Sequence, residues 1–94
     1  MTALTNQQIT ENLKSLTNWV YVNNSISKEF LFNDFIDAMS FVNSVALEAE
    51  KIDHHPNILI YGWNRVKINI STHSAGGVTE KDFQLAHIIE ERIK

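Results

Sequence analysis

The chain has 94 residues, a formal net charge of −3 and no cysteine. This length predicts one domain over residues 1–94, with a single core that self-association would help to stabilise. The missing cysteines exclude disulfides, a thiolate nucleophile and cysteine-bound metals. The acidic balance disfavours direct binding of nucleic acid. Neither a transmembrane-length apolar run nor a signal peptide is found, so we expect a cytoplasmic protein without a membrane partner.

The first third of the chain predicts one helix and one hairpin. Thr5 and Gln8 have the spacing of a capping box, and apolar residues follow at helical intervals, which predicts a helix over about residues 6–16. Residues 19–22 and 26–32 are rich in strand-forming residues, and the polar residues 23–25 between them are typical of a turn. These two segments are predicted to pair as a β-hairpin.

A long helix is predicted in the middle of the chain. Asn33 is predicted to cap it, with Asp34 in its first turn. Apolar residues then recur at three- and four-residue steps from Phe35 to Ile52, in a stripe broad enough to be buried against more than the sheet. Pro56 cannot continue a helix, so the helix is predicted to end before His55.

The last third predicts a second hairpin and a final helix. Residues 57–61 are predicted to be a buried strand, and residues 65–72 a strand whose polar face includes His73. The final helix is predicted to begin at residues 79–82. The order αββαββα predicts an α+β fold, in which a four-stranded antiparallel sheet packs helices on one face and leaves the other free.

The segment from Glu50 to Pro56 is the richest in groups that can transfer protons. Glu50 and His54 are four residues apart, so on one helical face they could hydrogen-bond, which would hold the imidazole in one tautomer. The second hairpin returns His73 towards the beginning of the third strand, near His54. The pattern therefore favours acid–base chemistry without a metal.

Each of these residues also has a purely structural interpretation. His54 could complement the dipole at a helix end, and His73 could be an exposed strand end. Glu50 could be a solvated helix residue, and Asp82 could serve only to cap the final helix. His87 is interpreted as a surface residue.

A metal site is the chemically distinct alternative. Glu50, His54, His55 and His73 are adequate ligands for zinc or iron, which would suit a metallohydrolase. Adjacent histidines rarely chelate one ion without a further fixed partner, so this alternative is disfavoured.

The same residues resemble those of the pterin-4a-carbinolamine dehydratases. The resemblance runs from about Trp19 to the C-terminus and is densest between Ala46 and Pro56. The family pattern is an acidic residue, three positions, His-His-Pro, an aromatic residue, a later histidine and an aspartate. It is met here by Glu50, His54, His55, Pro56, Trp63, His73 and Asp82.

The resemblance implies dehydration of a 4a-hydroxytetrahydropterin to quinonoid dihydropterin and water, which recycles the tetrahydrobiopterin-type cofactor of aromatic amino acid hydroxylases. It implies no metal and no organic cofactor. His54 and His73 would act as general acid and base, and His55 would bind the substrate and orient its hydroxyl group. The other residues implied to bind or orient are Glu50, Pro56, Trp63, Ser71, Thr72 and Asp82, with Glu50 orienting His54.

The resemblance also implies a homodimer or homotetramer, built by continuing the sheet between subunits and by packing the long helices together. Some relatives that lack the histidine pair are assembly chaperones. The alternative function is therefore a non-catalytic dimerisation or assembly cofactor that binds a protein partner through the long helix. Because all three histidines are present here, catalysis is favoured.

Overall fold

The computed structural model describes residues 2–93, which form an α+β fold with the predicted order αββαββα. The elements are α1 (Asn6–Leu13), β1 (Val20–Val22), β2 (Ser25–Leu31), α2 (Phe35–Ile52), β3 (Asn57–Tyr61), β4 (Arg65–Ile70) and α3 (Glu80–Ile93), with a short 3-10 helix at His73–Ala75. The predicted fold class is confirmed. Residues 1 and 94 lie outside the described part, so the domain bounds 1–94 stay a prediction.

The four strands form one antiparallel sheet in the order β1-β2-β4-β3. Apolar side chains of β2 and β4, with those of α2 and α3, make up most of the buried core, whereas Glu29 and Lys67 are exposed on the opposite face. The hairpins β1-β2 and β3-β4 are antiparallel, and β2 also pairs antiparallel with β4 in the middle of the sheet. Within residues 2–93, no helix has the length and hydropathy needed to cross a bilayer.

The first helix begins as predicted and ends earlier. The Thr5 N–H donates to Gln8 Oε1 at 2.9 Å, and the Gln8 N–H donates to Thr5 Oγ1 at 3.2 Å, which confirms the capping box. The helix ends at Leu13 rather than near residue 16. Ser15 and Leu16 continue with bonds to carbonyls three residues back, at 3.3 and 3.1 Å, which is turn geometry rather than α-helix.

The long helix α2 is capped by a different residue from the one predicted. Asp34, not Asn33, is the cap: its backbone is extended and its Oδ1 accepts a hydrogen bond from the Asp37 N–H at 2.8 Å. At the other end, Asp53 adopts the left-handed conformation with φ 50° and ψ 47°, so the helix ends before His55, as predicted.

The prediction that residues 57–61 form a buried strand is wrong about burial. β3 pairs only with β4 and lies at an edge of the sheet, so exposed and half-buried residues alternate along it. Ile58 and Ile60 pack against the core, whereas Leu59 is exposed. A short apolar run has the same appearance in a central strand and in an edge strand, and only the strand order separates them.

The second strand of this hairpin is also shorter than predicted. β4 ends at Ile70, and Thr72 then forms an isolated bridge with Gly77, in which the Thr72 N–H donates to the Gly77 carbonyl at 2.9 Å. The bridge closes a loop that contains the 3-10 helix. The prediction that His73 lies on the strand is wrong: His73 lies at the beginning of a tight helical turn.

A mostly buried ion pair joins the sheet to α3. Lys28 Nζ lies 2.7 Å from Glu90 Oε2, and the Trp19 Nε1–H donates to the same oxygen at 2.9 Å. We expect Glu90→Ala to lower the free energy of unfolding by about 2–3 kcal/mol, because it leaves an ammonium and an indole N–H without their acceptor. Urea denaturation measures the change.

The matched control is Glu11→Ala, because Glu11 pairs with Lys14 in the open, where both side chains are exposed. Glu11→Ala should change the free energy of unfolding by no more than about 0.5 kcal/mol, as is usual for exposed ion pairs. Equal effects of the two substitutions would contradict a stabilising role for the buried pair.

Candidate active site

Two chain turns meet at one end of the sheet and enclose an open depression of about 300 Å³, lined by residues 53–55 and 71–74. The pairing of Asn57 with Asn69 places the beginning of β3 beside the end of β4, so the segment before β3 lies next to the segment after β4. His54, His55 and His73 all line this depression.

His54 is held by a carboxylate from the last helix. Its Nε2 lies 2.5 Å from Asp82 Oδ1, although the two residues are 28 positions apart. The His54 side chain is 11% exposed and that of Asp82 is 0% exposed. The pair therefore lies at the wall of the depression, with the imidazole towards the opening and the carboxylate in the interior.

Asp82 is hydrogen-bonded on both of its oxygens. Oδ2 accepts the Thr79 N–H at 2.8 Å and the Thr72 hydroxyl at 2.9 Å, while Oδ1 faces His54. The hydroxyls of Thr72 and Thr79 are 2.8 Å apart, so the Thr79 hydroxyl can donate to that of Thr72. Asp82 thus caps α3 and also binds His54. Its structural interpretation as a helix cap and its implied position at the site are therefore compatible.

These contacts determine the tautomer of His54. An ionised carboxylate only accepts hydrogen bonds, so a bond between Asp82 Oδ1 and His54 Nε2 requires a proton on Nε2. That requirement holds whether the imidazole is neutral or protonated. Nδ1 is then the ring nitrogen that can gain or lose a proton.

The predicted pairing of Glu50 with His54 is wrong: Glu50 Oε1 lies 2.5 Å from His55 Nε2 instead. The left-handed Asp53 ends the helix, and the His54 N–H turns back to the Ala49 carbonyl at 3.1 Å, so His54 leaves the helical face that carries Glu50. The Glu50 and His55 side chains are 75% and 56% exposed. Their attraction is screened by water, in contrast to that of the buried pair.

His73 also lines the depression, and its side chain is exposed. Within residues 2–93, no side chain hydrogen-bonds its ring, so both of its nitrogens face solvent or a ligand. Ser71 is half-buried beside it, and Thr72 both lines the depression and donates a hydrogen bond to Asp82.

Besides the two carboxylates described above, two residues of the predicted site do not line the depression. Trp63 lies exposed in the turn between β3 and β4, and the five residues of β3 put it roughly 17 Å from the site end of the hairpin. Pro56 follows His55 and directs the chain into β3 without lining the depression. His87 is exposed on α3, as predicted, with its Nε2 3.1 Å from Ser15 Oγ.

Sequence reasoning missed three residues of the site. Asp53 and Ser74 line the depression, and Thr79 belongs to the hydrogen-bond network behind it. The spacing of Thr79 and Asp82 indicates a helix cap and nothing about catalysis. In the described range 2–93, no three His, Asp or Glu side chains are arranged to hold a metal ion.

Comparison with known proteins gives the same family over nearly the full length. The family model described as Pterin 4 alpha carbinolamine dehydratase matches residues 2–92. A protein of Picosynechococcus sp., provisionally named a pterin-4-alpha-carbinolamine dehydratase, is 43% identical over 90 residues, which cover 96% of this chain and 97% of the relative. A protein of Acidobacterium capsulatum with the same provisional name is 48% identical, with 96% and 97% covered.

Solved structures agree in fold. A structure from Brucella melitensis, described as a transcriptional coactivator/pterin dehydratase, superposes with a TM-score of 0.90 at 38% identity and covers 96% of this chain and 97% of its own. A pterin dehydratase-like protein, described as a RuBisCO assembly factor in the alpha-carboxysome, has a TM-score of 0.66 at 20% identity, with 80% and 88% covered, and shares the fold. On the family model, the sequence identities and the shared fold, the chain belongs to the pterin-4-alpha-carbinolamine dehydratase family.

Proposed function

We propose that this protein dehydrates a 4a-hydroxytetrahydropterin by acid–base catalysis with its histidines. The observation that carries the proposal is the buried His54–Asp82 pair at the wall of a depression that His55 and His73 also line. Membership of the family supports a pterin as the substrate, and the histidines at the depression are side chains that can accept and donate the two protons of the reaction.

The reaction needs one proton removed and one supplied. A base takes the proton from N5, and the electron pair of that N–H bond forms the C4a=N5 double bond. The C4a–O bond breaks as an acid protonates the departing hydroxyl, which leaves as water. The products are quinonoid dihydropterin and water, with no net oxidation or reduction.

In this proposal, His54 is the base, acting through Nδ1. Asp82 holds the Nε2 proton in place and stabilises the positive imidazolium that forms after proton transfer, because a buried carboxylate interacts with it across only 2.5 Å. Thr72 and the Thr79 N–H in turn hold Asp82 as an acceptor. Asp82 and Thr72 are thus positioning residues.

His73 supplies the proton to the hydroxyl group, and His55 binds and orients the substrate. Support for His73 comes from its ring, which is exposed in the depression and makes no hydrogen bond with a described side chain. His55 is already paired with Glu50, and both side chains are exposed, so water can compete for either group. A solvated dyad of this kind suits binding better than a proton transfer that requires a fixed geometry.

We also propose a homodimer or homotetramer that takes part in recycling the pterin cofactor of aromatic amino acid hydroxylases. Exposed apolar side chains on the edge strand β1 and on α2 support the self-association, notably Val20, Val22, Ile36 and Leu47. Exposed apolar side chains that share one face of an edge strand or of a helix often mark interfaces.

A second candidate function is that of an assembly cofactor that binds a protein partner through α2. It is favoured by the exposure of Ile36 and Leu47 on that helix, and by the role described for the RuBisCO assembly factor that shares the fold. Such a role would not require the His54–Asp82 pair, so a test of catalysis separates the two candidates.

The purified protein should accelerate formation of quinonoid dihydropterin from an enzymatically generated 4a-hydroxytetrahydropterin. We expect an acceleration of at least about 100-fold over the spontaneous rate, which is the lower end of what a positioned acid or base supplies. Absorbance of the quinonoid product follows the reaction.

The control is the His54→Gln/His73→Gln double variant, which should return the rate to near the spontaneous value while its circular dichroism stays unchanged. A wild-type rate equal to the spontaneous one would exclude the dehydratase and leave the assembly cofactor as the surviving candidate.

A further inference from the structure

A second polar depression adjoins the candidate active site. It has a volume of about 250 Å³ and is lined by Asn23 and Asn24, by residues 71–73, and by Gly76 and Gly77. Residues 71–73 line both depressions, so His73 stands between the two. A ligand bound against His73 in the first depression therefore has access to the second.

The turn between β1 and β2 holds two amide side chains at this place. Asn23 and Asn24 have φ angles of 51° and 60°, the left-handed conformation that both central residues of a tight hairpin turn require and that asparagine tolerates. Val22 and Ser25 pair on either side, and the Ser25 hydroxyl donates to the Val22 carbonyl at 2.8 Å. The backbone of the turn is thus well defined.

The amide groups of the turn keep hydrogen-bonding capacity for a ligand. The Tyr21 hydroxyl donates to Asn24 Oδ1 at 3.2 Å, which orients that amide and leaves its NH₂ group without an acceptor in the described part of the chain. The Asn23 side chain makes no hydrogen bond with any of residues 2–93. Each asparagine can therefore donate to a hydroxyl oxygen, and Asn23 can also accept.

The charge of the second depression restricts what it can bind. Its lining contains no lysine, arginine, aspartate or glutamate, and His73 is its one titratable side chain. An anionic group would find no fixed cation there, whereas a neutral group with hydroxyls would find amide donors and acceptors. The depression is thus suited to a neutral, hydroxylated substituent.

We propose that Asn23 and Asn24 bind a hydroxylated substituent at C6 of the pterin and so determine which pterins are preferred. The inference rests on the proposed function, because it places the reacting atoms beside His73. In a pterin, C6 is bonded directly to N5, so the C6 substituent of a ring that reacts beside the histidines begins two bonds from N5. The second depression shares residues 71–73 with the first and is therefore within reach of that substituent.

The test measures a preference between two substrates. The kcat/KM values are determined for 4a-hydroxytetrahydropterins with a dihydroxypropyl or a methyl group at C6, in the wild type and in Asn23→Gly/Asn24→Gly. The ratio compared is kcat/KM for the dihydroxypropyl substrate divided by kcat/KM for the methyl substrate. Glycine adopts positive φ readily, so the turn is retained while both amides are removed. We expect the ratio to fall about fivefold to tenfold, the value of a neutral hydrogen bond or two.

Asn18→Gly is the matched control, because Asn18 also has a positive φ, of 67°, but lines neither depression. It should leave the ratio unchanged. Asn23→Asp/Asn24→Asp keeps the side-chain shape, removes the NH₂ donors and should lower the ratio as the glycine variant does. An unchanged ratio in both double variants would overturn the proposal, as would a wild type without any preference.

Calorimetric binding of the corresponding 7,8-dihydropterins, which cannot lose a 4a-hydroxyl, separates this inference from the proposed function. If turnover is absent but the wild type prefers the dihydroxypropyl form and the double variants do not, the binding site stands and the dehydratase fails. If neither dihydropterin binds, the site proposal is overturned as well.

Discussion

His54→Gln is expected to lower kcat for pterin dehydration by about two to four orders of magnitude, the usual contribution of a positioned base. Glutamine removes the titratable ring, but its amide NH₂ can still donate to Asp82 Oδ1 in place of the imidazole Nε2–H. The buried carboxylate therefore keeps a donor, and the fold should be retained. Steady-state kinetics and urea denaturation measure the two quantities.

The control for this substitution is His87→Gln, which replaces an exposed histidine on α3 that lines no described pocket. Its kcat should stay within about twofold of the wild-type value. If His54→Gln also kept kcat within that range, the assignment of His54 as the base would be wrong, and His73 would have to accept the N5 proton as well as supply a proton to the hydroxyl group.

Asp82→Asn is expected to reduce both catalysis and stability. An amide cannot accept on both sides, so either the Thr79 N–H and Thr72 hydroxyl or the His54 Nε2–H loses its acceptor. We expect kcat to fall about 10- to 100-fold, because the imidazolium loses its counter-charge. We expect the free energy of unfolding to fall by about 2–4 kcal/mol, as for other broken buried networks.

Glu50→Gln is the matched control for Asp82→Asn, since it makes the same chemical change in the exposed pair with His55. It should leave the free energy of unfolding within about 0.5 kcal/mol of the wild-type value. Comparable losses of kcat in the two variants would contradict the distinction between a buried catalytic pair and a solvated binding pair. A fall in stability without a fall in kcat for Asp82→Asn would reduce Asp82 to a helix cap.

Much of the fold could be predicted because its signals are local. The capping box at Thr5 and Gln8, the apolar spacing in α2 and the helix stop before Pro56 each depend on residues within a few positions of one another. Burial of β3 could not be predicted in this way. Its position at the edge follows from the pairing of β2 with β4, which joins segments far apart in the chain.

The sequence by itself determined the α+β order and the presence of histidines and acidic residues near Pro56 and His73, because helix periodicity, caps and residue types are local properties. Only the tertiary structure decided which carboxylate hydrogen-bonds to which histidine. One residue in the left-handed conformation, Asp53, turns His54 away from Glu50 and towards Asp82, 28 positions later. That contact depends on the packing of α3 beside the end of α2, and no local spacing encodes it.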